Sequence, residues 1–384
     1  MMKELRVGII GLGFIGPVHL QALRKMPHLR VVGIADQAGS SVKEKADALG
    51  VDAWYENYED LLARKDLDAV HICSPNHLHA EMVKKALLAG KHVVCEKPLA
   101  ITSVQAGELV DLAAEKKLVN AVHFNIRYYP LIRQLKAMIK SGEMGRIFSI
   151  QGSYLQDWLF YDTDYNWRLE SRLSGESRAV ADIGSHWMDL VEYASGLRIK
   201  EVFADFATFH PIRKKPLKPM ETYAGKILKP EDYSDVAIDT EDYATILFRF
   251  GNGERGVLTV SQVSAGRKNR LYFEIDGSGK SAEWDSETPN RMWIGRRDGP
   301  NELLMKDPSL VGADSRKLMT LPGGHQEGFN DTPFQLFREF YEDVRKGEPG
   351  ANPSYPTFAD GMREQVLCEH ILESSRSGRW VAID

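Results

Sequence analysis

At 384 residues the chain is long enough for two domains with substantial cores, and 43% hydrophobic with 27% charged residues is the make-up of an ordinary globular protein. A net charge of −5 without a long run of one sign speaks against nucleic acid or an anionic membrane as the main partner. Cys73, Cys95 and Cys368 show no metal-ligand spacing, and no run approaches the roughly 20 apolar residues of a membrane span. Cys73 and Cys95 lie in apolar, strand-like runs, so buried thiols in a reducing compartment are expected. The spaced glycines and Pro17 argue against a signal peptide over 7–20, and a cytoplasmic location is expected.

In chain order, the apolar run Leu5–Ile10 reads as a strand that ends in Gly11-Leu-Gly13-Phe14-Ile15-Gly16, and 14–26 reads as an amphipathic helix. A second apolar run, 31–35, ends at Asp36, about twenty residues past Gly16. Strand, glycine turn, helix, strand and acid together make a dinucleotide site. Gly11 permits a tight turn, Gly13 a close backbone approach to a pyrophosphate, and Gly16 close packing of helix on strand. The helix N-terminus offers free N–H groups to the phosphates.

Ser41-x-x-Glu44 reads as a capping box that opens a short helix ending at Gly50. A small strand at 53–55, a helix at 57–65 and a strand at 68–73 follow, the last running into Ser74-Pro75-Asn76-His77-Leu78-His79. A helix at 79–89 ends at Gly90, a residue suited to a left-handed cap. A strand at 91–95 runs into Glu96-Lys97-Pro98, Thr102-x-x-Gln105 caps another helix, and 118–124 is a strand. Alternation of this kind predicts a doubly wound parallel sheet whose ligands bind beyond the carboxyl ends of the strands. The polar strand ends at 11–16, 74–79 and 96–98 are therefore expected around one cofactor.

From about residue 125 the rhythm changes. A helix at 130–140 leads to a strand at 146–154, then 210–230, rich in Lys and Pro, reads as a long surface loop. Alternating segments at 244–250 and 256–263, and at 271–275 and 282–284, read as hairpins of an antiparallel sheet. The second domain is thus expected to be α+β, with 1–124 and 125–384 as the division. An open sheet face suits pairing with a second copy, and a homodimer or homotetramer is expected. Phe334, Phe337, Phe340 and Val344 form a helical stripe, read as core.

Three features carry candidate chemistry. Lys97 stands at a strand end, where desolvation would lower its pKa and a remaining cation would stabilise an alkoxide. Pro98 beside it suits a cis bond. Asp182 and His186 stand four apart, on one face if helix has begun by Asp182, and a carboxylate beside an imidazole supports a general base. A helix cap and a satisfied core histidine compete with that reading; a metal site lacks further ligands at close spacing. Residues 154–168 hold Tyr154, Trp158, Phe160, Tyr161, Tyr165, Trp167 and Arg168, which suit either the C–H faces of sugars and cyclitols or a subunit interface. His325, in a glycine loop, is either a site residue or a plain surface histidine.

Taken together these motifs, with Asn125-Ile-Arg127 and Asp182-Ile-Gly-Ser-His186, resemble the glucose–fructose oxidoreductase / inositol 2-dehydrogenase family (Gfo/Idh/MocA) over essentially the full length. The resemblance implies an α/β protein: an N-terminal Rossmann domain followed by an α+β domain built on a large, mostly antiparallel sheet. It implies Lys97, Asp182 and His186 as the catalytic set. Gly11, Gly13, Phe14, Ile15, Gly16, Asp36, Ser74, Pro75, Asn76, His79, Glu96, Lys97 and Pro98 are the expected cofactor residues. Asn125, Arg127, Tyr154, Trp167, Arg168 and His325 are expected beside the catalytic three on the substrate. No long extension precedes the first strand, so no close likeness to the periplasmic glucose–fructose oxidoreductases is expected. The expectation is NAD-dependent oxidation of a secondary hydroxyl of a sugar, sugar derivative or cyclitol. Asp36, with Gln37 rather than Arg beside it, should favour NAD over NADP. An NAD-assisted glycosidase and a non-catalytic sugar or cofactor sensor are the rival readings.

Overall fold

A computed structural model describes residues 4–37, 39, 41–217 and 232–383. Contacts divide the chain into two compact units, one of Met1–Tyr128 with Gly328–Gln365, the other of Tyr129–Glu327 with Val366–Asp384.

The first unit opens with β1 (Leu5–Ile10), α1 (Ile15–Arg24), β2 (Leu29–Ala35), α2 (Val42–Leu49), β3 (Trp54–Tyr55) and α3 (Tyr58–Leu62). It continues with β4 (Ala69–Ile72), α4 (Asn76–Leu88), β5 (His92–Cys95), α5 (Ser103–Lys116) and β6 (Asn120–Val122). The six strands pair in parallel in the order β3-β2-β1-β4-β5-β6, the doubly wound arrangement whose direction reverses between β1 and β4. Strands buried on both faces read as continuous apolar runs, and Ala69–Ile72 has no exposed residue. Thr102 caps α5 by accepting from the Gln105 N–H, and Gly90 takes the left-handed conformation with φ +71°. Ser41 departs from expectation: it is itself left-handed, with φ +54°, and its side chain caps nothing. Helix α4 begins at Asn76, three residues before the predicted start, because Pro75 can sit outside a first turn that needs no N–H from it.

The second unit holds α6 (Pro130–Lys140), β7 (Ile147–Leu155), α7 (Ser171–Ser174), α8 (Ser185–Ser195) and β8 (Ile199–Ala207). Next come β9 (Ile212–Pro216), β10 (Tyr233–Ala237), β11 (Tyr243–Phe250), β12 (Arg255–Ser261), β13 (Arg270–Gly277) and β14 (Ser281–Asp285). β15 (Arg291–Gly295), β16 (Glu302–Met305) and α9 (Ala313–Arg316) complete its central run. The chain then gives α10 (Thr332–Lys346) to the first unit, and α11 (Phe358–Ser377) passes from the first unit to the second before β17 (Val381–Ala382). Nine strands form one sheet in the order β16-β15-β14-β13-β7-β12-β11-β8-β17, antiparallel except where β12 runs parallel to β7. Period-two alternation puts Ala244, Ile246, Phe248 and Phe250 of β11 on the buried face with Leu271, Phe273 and Ile275 of β13. Part of the expected 210–230 loop is a strand instead: Ile212–Pro216 pairs antiparallel with Tyr233–Ala237, while 218–231 lie outside the described residues.

Helix α8 is seated on this sheet by Trp187, whose indole stacks on Phe248 and whose Nε1–H donates to the Tyr272 carbonyl at 3.0 Å. The approach requires a glycine on β7, since a Cβ at Gly152 would stand 2.2 Å from the Tyr272 oxygen and 2.4 Å from Trp187 Nε1. All three cysteines are buried and none is in a disulfide. No helix among the described residues is long and apolar enough to cross a membrane.

Candidate active site

The carboxyl edge of the parallel sheet is tied strand to strand. Gly11 N–H donates to the Ala35 carbonyl, Cys73 N–H to Ile10, and Glu96 N–H to Ile72. Gly11 has φ +93°, and a Cβ there would meet the Cys73 carbonyl carbon at 2.6 Å. A Cβ at Gly16 would lie 2.2 Å from the Gly11 oxygen, whereas one at Gly13 would meet nothing within 4 Å. Two glycines are thus closed in by backbone and the third faces open space, the shape a pyrophosphate needs above a helix N-terminus. Ser74, following β4 beside this turn, has a buried hydroxyl oxygen with no hydrogen-bond partner among the described residues. Both observations fit a bound dinucleotide. Phe14, at the mouth of the turn, is 66% exposed, and Ile15 begins α1.

Asp36, just past β2, accepts from the Gln37 N–H through Oδ1 and pairs with Lys45 Nζ through Oδ2 at 2.7 Å. His79 joins two strand ends: Nδ1 meets the Pro98 carbonyl at 2.6 Å and Nε2 the Ser74 carbonyl at 2.8 Å. Burial pushes its pKa down against the pull of those two oxygens. Its ring therefore shapes the loops rather than facing outward. The Lys97–Pro98 peptide is cis.

Sequence reading missed the network behind Glu96. His19 Nε2 lies 2.9 Å and His123 Nδ1 2.6 Å from Glu96 Oε1, His19 Nδ1 is 2.8 Å from His71 Nδ1, and His71 Nε2 is 2.8 Å from the Tyr341 hydroxyl. One assignment of protons satisfies every contact: Tyr341 donates to His71, His71 to His19, and His19 and His123 to the carboxylate. Phe337 of α10, part of the predicted core stripe, packs against all three imidazoles. Burial lowers His19 to about 4 and puts His71 well below the usual histidine range. Burial alone would raise Glu96, but the imidazoles around it outweigh that and hold it well below the usual carboxylate range. His19, Glu96 and His123 bring ligand-type atoms within 4.8 Å of one another. Their spacings are those of hydrogen bonds, with ring protons directed at the oxygen a cation would need.

In the second unit Asp182 sits in a five-residue π-helical stretch, Val180–Gly184, that runs straight into α8. Among residues 179–190 only Asp182 and His186 escape full burial. Asp182 Oδ2 accepts from Gln262 Nε2 at 2.9 Å, and Arg168 Nε stands 3.5 Å from Oδ1. The Tyr154 ring lies 6.3 Å from that of His186, and its hydroxyl donates to Asn269. Arg168 stacks over Trp167 at 4.5 Å and Trp158 at 5.7 Å. Leu159, Leu169 and Ile238 make a small core that Trp158 and Tyr165 flank, while Phe160 and Tyr161 are exposed.

The remaining candidates are placed as follows. Asn125 and Arg127 are buried in a 3-10 turn of the first unit, with Asn125 Nδ2 donating to Thr332 and Arg127 Nη2 to Asp360 at 2.8 Å. His325 is exposed in the second unit, on a loop anchored by the buried Lys306–Glu327 ion pair.

The profile of the GFO_IDH_MocA oxidoreductase family, NAD-binding Rossmann fold, matches residues 5–124, and that of the GFO/IDH/MocA C-terminal domain matches 132–283. Levoglucosan dehydrogenase of Pseudarthrobacter phenanthrenivorans is 30% identical over 100% of this chain and 99% of its own. The chain belongs to the Gfo/Idh/MocA family. It is an oxidoreductase of that family with an NAD-binding Rossmann domain. Myo-inositol 2-dehydrogenase of Thermotoga maritima is 27% identical over 90% of each chain. A solved structure of levoglucosan dehydrogenase in complex with NADH and levoglucosan superposes with a TM-score of 0.87 at 28% identity, covering 99% of both chains.

Proposed function

We propose that this family member is an NAD-dependent dehydrogenase acting on a secondary hydroxyl of a sugar, sugar derivative or cyclitol. The carrying observation is the carboxyl edge of the parallel sheet, where the glycine cradle, the unpartnered Ser74 hydroxyl and Glu96-Lys97-Pro98 follow β1, β4 and β5 in turn. Bound NAD supplies a hydride acceptor. His186 takes the hydroxyl proton, and Asp182 supports it. The Lys97 ammonium stabilises the developing alkoxide and shares in proton transfer. The stacked Trp158, Trp167 and Arg168 suit the C–H face of a ring bearing several hydroxyls. Full-length similarity to enzymes named for levoglucosan and myo-inositol supports this class of substrate.

Asp36 favours NAD, since its carboxylate bonds a ribose hydroxyl and repels a 2′-phosphate. Phe148 and Leu247, exposed on the large sheet, support a homodimer or homotetramer, which sedimentation equilibrium tests. The activity is tested by following NADH absorbance with monosaccharides, anhydrosugars, glycosides and inositols. NADH formation with a ring polyol supports the reading, and tight NAD binding with no turnover on any of them refutes it.

A further inference from the structure

The carboxylate of Asp182 is gripped from behind by a one-way chain of hydrogen bonds. Gln262 immediately follows β12, is fully buried, and donates from Nε2 to Asp182 Oδ2 at 2.9 Å. Its Oε1 accepts from Arg178 Nη1 at 3.0 Å. A guanidinium only donates, so Arg178 fixes which end of the amide is oxygen and leaves the NH2 end to face Asp182. Arg178 is itself held from three sides. Its Nε donates to the Thr240 hydroxyl, its Nη2 to Asp242, and its backbone N–H to the Glu241 carboxylate, which also takes the Val180 N–H. Asp242 binds a second buried guanidinium, Arg213, at 2.7 Å. Residues 240–242 thus clamp both the side chain of Arg178 and the start of the π-helical stretch that carries Asp182.

We propose that Gln262 is a positioning residue: locked by Arg178, it presents an N–H donor to Asp182 Oδ2 and holds that carboxylate as an acceptor, with Oδ1 on the side of Arg168. The inference rests on the role given to Asp182 under the proposed function. Nothing in the sequence singles out Gln262. A rigid two-bond hold suits a carboxylate that must meet an imidazole in one direction. Charged groups near the contact include Arg168 from the turn at 167–169, and Arg178 with Asp242 and Arg213 beyond the amide.

Two substitutions separate positioning from packing. Gln262→Leu keeps the bulk and removes the donor. Gln262→Glu keeps an acceptor for Arg178 and turns the donor into a second acceptor against Asp182. The Asp182 carboxyl is followed by 13C NMR titration, assigned by its loss in Asp182→Asn, with steady-state kinetics in parallel. In both variants the Asp182 titration moves up by about one pH unit or more. The kcat falls about tenfold or more while KM for NAD stays within about twofold. Gln262→Glu regains part of its kcat at lower pH, where a proton shared by the two carboxylates restores a donor; Gln262→Leu does not. An unmoved Asp182 titration in both variants overturns the inference whatever the activity. A moved titration in a protein that turns over no polyol upholds the hold on Asp182 and refutes the proposed function instead.

Discussion

The Nε2–H of His19 meets Oε1 of Glu96 at 2.9 Å inside the parallel-sheet unit, with His71 backing the same imidazole at 2.8 Å. This joins the glycine-turn helix to the strand end that carries Lys97. It also makes the fold acid-sensitive in a defined window. The folded-state pKa of His19 is about 4 and burial holds that of His71 well below the ordinary histidine range, whereas an unfolded histidine titrates near its ordinary value. As pH falls through about 6.5 the unfolded chain takes up protons that the folded one refuses, so stability declines, by at most about 1.4 kcal/mol per pH unit for each such group. Glu96 is shifted in the same direction, so its stabilisation is present above the ordinary glutamate range and is lost as pH falls below that range toward the lowered value. Urea midpoints should therefore fall between pH 7 and pH 5, and His19→Gln, which retains a donor for Glu96, should flatten that slope. Equal midpoints at the two pH values would contradict the neutral, buried assignment.

Gly13 faces open space where Gly11 and Gly16 do not. Gly13→Val should fold with a melting temperature close to that of the parent and lose at least about 100-fold in NAD affinity by calorimetry, because only the ligand meets the new side chain. Gly16→Ala should lower the melting temperature as well, since its Cβ meets the Gly11 oxygen first. Retained NAD affinity in a folded Gly13→Val protein would mean that the dinucleotide lies elsewhere.

Lys45 neutralises Asp36 across 2.7 Å. Asp36→Ser removes the repulsion toward a 2′-phosphate and frees the Lys45 ammonium to face it. The kcat/KM ratio of NADP to NAD should rise by about 10-fold or more, worth about 1.4 kcal/mol, and Lys45→Ala in the same background should take most of that gain away. A ratio unchanged by Asp36→Ser would remove Asp36 from cofactor selection.

Trp187 presses on Gly152 next to His186 in sequence. Gly152→Ala should cost about 1–3 kcal/mol by overpacking and lower kcat more than it raises KM for NAD, because α8 must lift from the sheet. Unchanged melting and kcat would show that the Trp187 seat yields freely.

The parts legible in the sequence are those encoded over short spacings. The glycine turn and Asp36, the Thr102 cap, the limits of Pro130–Lys140 and the hairpin at 270–285 follow from local periodicity and turn chemistry. Ser41 has the capping-box spacing to Glu44, but its backbone is left-handed and its side chain caps nothing. The polar networks were illegible for a different reason. His19, His71, Glu96 and His123 are separated by whole crossover helices and meet only because neighbouring parallel strands end at one edge. Gln262 and Arg178 stand 84 positions apart, and no local pattern pairs them. Sequence alone likewise gave no sign that Gly328–Gln365 returns to the first unit, carrying Phe337 and Tyr341 to the histidines.

The most direct measurement compares NADH formation from a ring-polyol panel by the parent protein, Lys97→Ala and His186→Ala, with NAD affinity determined for each. Turnover by the parent, a loss of at least about 100-fold in kcat in both variants, and unchanged NAD binding are the expected results. Near-parental turnover in either variant would contradict proton transfer and alkoxide stabilisation by these two side chains.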